Sequence, residues 1–370
     1  MIKVDARVKA RAETLSGRKA FGDAENTDSE SDSRRFVIKP NRIMNKNILS
    51  FILALAAITA TAQNYTDSTL NNPGWLWEIS GNGLAQKSYL FGTCHGDGHN
   101  FTKEEVFSFP GLQDAFDKSQ MVLFETDMNP EHMDPAVINK QAKWIADLFS
   151  NPGLEYMMPE GVYYKTLYDS IAHFNEVDNF LAKKNNDPEY WKKTPGYWFT
   201  RIGVTLFIAA RRAQMVDAVL YQEVVNQGKE NGGLEEIKDI DGTLNSMFTD
   251  TKGIDTLSMK EQADTLYRMI RNITNGTTRR MFKGLYKAYV SNDTCKVAKF
   301  LAETPDISGA KASSHDKELL NDRNAAWMTV IKKNISEKTC MIAVGCRHLM
   351  GAESLIVMLR REGYTVEAIK

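Results

Sequence analysis

The stretch Thr339-Cys340-Met341-Ile342-Ala343-Val344-Gly345-Cys346-Arg347-His348 decides how this chain is read. Thr339 to Val344 is a strongly apolar run closed by glycine, which reads as a β-strand delivering a Gly-x-x-His turn. A helix running to Arg361 and a last strand, Thr365 to Ile369, are expected after it. The same unit occurs near residue 90, where the apolar run Ser88 to Phe91 leads into Gly92-Thr93-Cys94-His95. That run follows Trp75 to Ser80 across Gly81-Asn82-Gly83, so the two segments read as a β-hairpin. Trp75 and Trp77 alternate on its first strand and read as core and surface packing. Met121 to Phe124 predicts a further buried strand with Glu125-Thr126-Asp127 at its exit, and Gly232-Gly233-Leu234-Glu235-Glu236-Ile237 another, entered through glycines. Helical spacing fills residues 135 to 228, broken at Pro152-Gly153, Asn185 to Pro188 and Pro195-Gly196. It returns at Ile254 to Ile273, Thr278 to Ser291 and Leu319 to Lys333. The fold class expected is α/β (α+β): a mixed central sheet with packed helices, a large helical insertion, and strands ending in two GxxH motifs.

Composition bounds the function. Hydrophobic content of 42% and charged content of 25% are ordinary globular values, so the chain can bury a core that offsets its ordering entropy. Its 46 basic and 47 acidic residues nearly cancel, which leaves no field to gather nucleic acid. Lys46 followed by the apolar run Ile48 to Ile58 and by Ala60-Thr61-Ala62 reads as a signal peptide cleaved before Gln63. That run falls short of the ~20 residues needed to span a bilayer, so no stable membrane anchor is expected. Residues 1–43 are polar and aperiodic and read as a non-native or disordered extension, with Met44 as the start. Residues 44–62 are then the signal peptide and 63–370 a single domain, periplasmic or secreted. Cys94, Cys295, Cys340 and Cys346 could pair in three ways or remain thiols.

The chain has six histidines. Three of them, His95, His99 and His348, stand three residues after a glycine, and for His95 and His348 that glycine closes an apolar strand, the place where α/β folds put ligand sites. Glycine there permits a sharp turn and close approach of a ligand. Two turn glycines beside two ordinary polar histidines would give the same spacing. His99 shares the spacing but follows no apolar strand, His132, His173 and His315 lack it, and all four read as loop or surface residues.

These segments resemble the TraB/GumN family, which includes the Tiki-type metalloproteases. The likeness runs from Leu76-Trp77-Glu78-Ile79-Ser80-Gly81 and Tyr89-Leu90-Phe91-Gly92-Thr93-Cys94-His95 through Phe124-Glu125-Thr126-Asp127. It continues through Val216-Asp217-Ala218-Val219-Leu220 and Gly233-Leu234-Glu235 to Asp322-Arg323-Asn324 and Val344 to Gly351. Cys94, Cys346 and Arg347 depart from the family pattern, which more often has small or aliphatic residues at the two cysteine positions.

The resemblance implies that His95 and His348 converge with Glu125 and hold a divalent metal ion, Zn, Mn or Co, for peptide or protein hydrolysis. Glu235 would serve as general base, and Arg323 would clamp a substrate carboxylate or neutralise a site carboxylate. Arg323 could equally form a structural ion pair. Cys94 and Cys346 could supply softer ligands or a disulfide, or be small buried residues behind the site. Two other functions fit the same residues: a non-catalytic protein that binds a peptide or signal, and a metal-free ester or amide hydrolase. No HExxH or P-loop pattern occurs, which leaves helical zinc-protease and nucleotide chemistry unsupported.

Overall fold

The computed structural model describes residues 74–94, 99–129, 131–132, 134–150, 152–210, 214–236, 254–303 and 317–370. The extension 1–43, the signal segment 44–62, His95 and His315 lie outside the described residues. Six strands form one sheet: β1 Leu76–Gly81, β2 Ser88–Thr93, β3 Met121–Thr126, β4 Glu230–Glu235, β5 Cys340–Gly345 and β6 Tyr364–Ala368. Their order is β4-β3-β5-β2-β1-β6. Strands β4, β3, β5 and β2 run parallel, while β1 is antiparallel to both β2 and β6.

Strand β5 lies in the middle, and all six of its residues are buried. An unbroken apolar run suits that place because a central parallel strand is covered on both faces. The helices divide between those faces. Helices α1 Lys103–Phe107, α2 Leu112–Lys118, α6 Val216–Gln227, α8 Thr277–Val290 and α9 Thr294–Glu303 cover one side, where Val106, Phe116, Val219 and Tyr289 meet Phe91, Phe124 and Met341. Helices α10 Arg323–Glu337 and α11 Leu355–Arg361 cover the other, where Trp327, Ile331 and Leu359 meet Leu90, Leu123, Ile342 and Val344. The insertion, with α3 Pro135–Ser150, α4 Ile171–Asp178 and α5 Pro195–Ala210, builds a third cluster with α7 Met259–Thr274. Val177, Trp198, Leu266 and Ile270 are among its buried members.

Coverage of both faces corrects the reading of the first tryptophans. Trp75 packs in the first cluster and Trp77 in the second, both fully buried, so neither lies at the surface. The element bounds differ from the sequence expectation at their ends. The residues before Met259 form a 3-10 turn, Ile254–Thr256, and Ser258 caps the helix with a capping box to Glu261. The residues before Arg323 form a π-turn, Lys317–Asp322. A 3-10 turn, Cys346–Leu349, separates β5 from α11. Glu125 lies inside β3 rather than beyond its end.

Gly233 sets how closely β4 approaches β3. A Cβ built there would stand 2.3 Å from the Asp127 backbone nitrogen, far inside van der Waals contact with atoms that cannot rotate away. Gly233→Ala is therefore expected to cost about 1–3 kcal/mol, the range for overpacking. Denaturant unfolding that gave an unchanged midpoint would show that β4 can shift freely.

Candidate active site

The four parallel strands end on one side of the sheet. Thr93 of β2 pairs in register with Gly345 of β5, and Thr126 of β3 with Glu235 of β4. The two Gly-x-x-His motifs therefore begin on adjacent strands at one level, where open α/β sheets bind ligands. A Cβ at Gly92 would lie 3.2 Å from the Cys346 Cα and 3.1 Å from the Trp75 ring, so the first glycine admits the turn that carries the second histidine.

Helix α10 enters this end of the sheet with Arg323 in its first turn. The Arg323 guanidinium donates from Nη2 to Glu125 Oε2 at 2.8 Å and to Glu235 Oε1 at 2.8 Å, and from Nε to Glu235 Oε2 at 3.2 Å. Its planar fork suits this bridge between carboxylates from β3 and β4. Trp327 lies one helical turn on. Its ring sits under the guanidinium at 4.6 Å, and its Nε1–H donates to Glu235 Oε2 at 2.9 Å. Both Glu235 oxygens are thus engaged. Glu125 also accepts at Oε1 from the Gly345 backbone N–H at 2.8 Å, which ties β3 to the start of the second motif. Burial works against the Arg323 charge, but Glu125 and Glu235 outweigh it and hold its pKa above the ordinary value.

His348 is buried on the turn after β5. Its Nε2 lies 3.6 Å from Glu125 Oε1 and 3.5 Å from Arg323 Nη1. Its Nδ1 lies 2.7 Å from Asn324 Oδ1, and its ring tilts against Trp327 at 4.5 Å. Glu125, Glu235, Arg323 and His348, all named from the sequence, therefore share one cluster. His95 was named with them, and it lies outside the described residues.

The surroundings are polar as well as packed. Thr93 Oγ1 donates to Asp217 Oδ1 at 2.9 Å, linking the end of β2 to the first turn of α6. Cys94 and Cys346 are buried thiols without a disulfide; burial pushes Cys346 up to about 12, which keeps it protonated. Three other histidines are held by neighbours. His99 contacts Glu105 at 3.1 Å and stacks on Tyr286, His132 contacts Asp127 at 2.7 Å, and His173 stacks on Tyr267.

Whether this set suits a metal ion is a matter of donors and charge. Two ligands each about 2.0–2.1 Å from a tetrahedral ion stand roughly 3.4 Å apart, close to the 3.6 Å between His348 Nε2 and Glu125 Oε1. Imidazole and carboxylate are suitable donor types. Two carboxylates against one guanidinium leave a net negative charge among these groups. Among the described residues no group of three His, Cys, Asp or Glu side chains is arranged to hold a metal ion. The pair fits, and a third protein ligand would have to come from outside those residues.

Residues 75–368 match the TraB/PrgY/GumN family. The chain belongs to this family. Among family-like proteins of named activity, the zebrafish (Danio rerio) Metalloprotease TIKI1 is 25% identical over 334 residues, covering 82% of this chain and 64% of its own. The human (Homo sapiens) Metalloprotease TIKI1 is 25% identical over 338 residues, covering 81% and 62%. Danio rerio Metalloprotease TIKI2 is 24% identical, covering 79% and 60%. The chain thus spans about three fifths of the length of these relatives. No solved structure matches it. Among the described residues no helix is long and apolar enough to cross a membrane.

Sequence reasoning did not give Asn324, Trp327, Asp217 or the Gly345 N–H a place in the site. Asn324 and Asp217 stood inside the motifs already quoted. Trp327 follows Arg323 by four residues, the spacing that places two side chains on one helical face. The Gly345 N–H left no mark in the residue pattern, because a backbone donor is available at any residue but proline.

Proposed function

We propose that the protein is an exported hydrolase that cleaves peptide bonds, with a divalent metal ion held by His95, His348 and Glu125. The observation carrying this reading is the cluster of Glu125, Glu235, Arg323 and His348, drawn from β3, β4, α10 and the turn after β5. The family membership and the relatives named as metalloproteases support the reaction class. The chemistry such an ion supplies is Lewis acidity toward a water and toward the scissile carbonyl. His348 presents its Nε2, and Glu125 is held by Gly345 and Arg323 so that its carboxylate keeps one orientation. Arg323 bridges the two glutamates and offsets one of their two charges before substrate arrives. When its guanidinium turns to a substrate carboxylate or carbonyl, it releases Glu235, which then accepts a proton as general base. Cleavage of a signal peptide over 44–62 would carry this activity outside the cytoplasm.

One observation favours a second reading. Arg323 already supplies a cation beside both Glu125 and His348, so the same cluster could activate water through His348 with Glu125 and Arg323 as partners, without a metal ion. Elemental analysis of the protein from Gln63, purified without chelator, separates the two. About one equivalent of Zn, Mn or Co is expected, and it is expected to vanish in the His95→Ala/His348→Ala variant. Full peptide-hydrolytic turnover with no bound metal, after incubation with each ion, would establish the metal-free reaction instead.

A further inference from the structure

The amide of Asn324 is buried, with 1% of its surface exposed, and it contacts three groups. Its Nδ2 donates to the Glu353 carbonyl at 2.9 Å and lies 3.4 Å from the His348 carbonyl. Its Oδ1 lies 2.7 Å from His348 Nδ1. These contacts assign the amide. Turned over, Asn324 would set its oxygen against two carbonyl oxygens, a placement with no donor between them. Oδ1 therefore faces the imidazole and can only accept, so the proton of that contact belongs to His348 Nδ1.

We propose that Asn324 is a positioning residue that fixes His348 as the Nδ1–H tautomer and turns its Nε2 lone pair toward Glu125 and Arg323. The opposite nitrogen agrees with this assignment. Arg323 Nη1, a donor with no acceptor capacity, approaches His348 Nε2 at 3.5 Å. The bond that one ring nitrogen makes decides which form the other presents. A lone pair at Nε2 is what a metal ligand or a general base requires, so the device serves either reaction. The same amide ties α10 to the turn at Glu353, which makes an aspartate a poor substitute, because its second oxygen would face the two carbonyls. The use of this device rests on the hydrolase reading, whereas its existence does not.

The test is the tautomer itself. In metal-free protein carrying ¹⁵N-histidine, long-range ¹H–¹⁵N correlation identifies the His348 ring by its loss in His348→Gln. A pyrrole-type shift at Nδ1 and a pyridine-type shift at Nε2 are expected in the wild type, moving toward averaged values in Asn324→Ala. A pyridine-type Nδ1 in the wild type would overturn the proposal without need of any variant. So would a folded Asn324→Ala protein whose His348 shifts are unchanged. Neither readout depends on turnover, so loss of the hydrolase reading and loss of this inference are told apart.

Discussion

His348→Gln is expected to lower kcat/KM for peptide hydrolysis by about 10³-fold, within the range for losing a group that handles a proton or a metal ligand. The substitution keeps a polar side chain on the turn but has no second ring nitrogen to aim at Glu125. His348 lies between Asn324 at one ring nitrogen and Glu125 and Arg323 at the other, so its loss breaks the contact at both. A peptide library digested by wild type and variant, with products quantified by mass spectrometry, reads the effect. Near-UV circular dichroism reports whether Trp327, which packs on the imidazole, keeps its surroundings. Turnover within threefold of wild type in a folded variant would remove His348 from the reaction.

Arg323→Met is expected to be the most destabilising single change in the site. It removes the cation between Glu125, whose side chain is only 9% exposed, and Glu235, and it leaves two carboxylates facing each other with little water. Breaking a buried pair by deleting one partner costs about 3–5 kcal/mol. For a domain of this size that corresponds to a fall in Tm of roughly 10 °C. The companion variant Arg323→Met/Glu125→Gln, which removes the stranded charge as well, is expected to recover a large part of the loss. Arg323→Lys should recover less, because an ammonium cannot bridge two carboxylates in one plane. Calorimetry that placed Arg323→Met within about 1 kcal/mol of wild type would mean that water reaches Glu125 more freely than its burial indicates.

How much of this was legible before the structure depended on whether a property belongs to one segment or to several. Apolar runs closed by glycine marked β2 and β5, because strand burial and the turn after it are both local. The hairpin at Gly81 to Gly83 was legible for the same reason, and all three of its turn residues adopt positive φ. Trp77 was misjudged because residues two apart on a strand share a face, so the pattern could not set Trp75 and Trp77 apart; β1 begins only at Leu76, and helices cover both of its faces. Arg323 and Glu235 could be named from motifs, yet their bidentate pairing requires β4 to lie beside β3 and α10 to cross both, which no single segment encodes. Asn324 was hidden in plain view: an asparagine next to an arginine at a helix start reads as capping chemistry, and its contact with His348 joins residues on separate elements.

The middle strand of the sheet is the fifth of its six strands in chain order. Until β5 emerges from synthesis, β1 and β2 can pair with each other and β3 with β4, but no strand pairing joins the two halves of the sheet. Gly345 and His348 arrive with that strand, so the binding end is assembled in the same event that closes the fold. A polypeptide cut anywhere before Cys340 therefore loses the seam of the molecule rather than its edge.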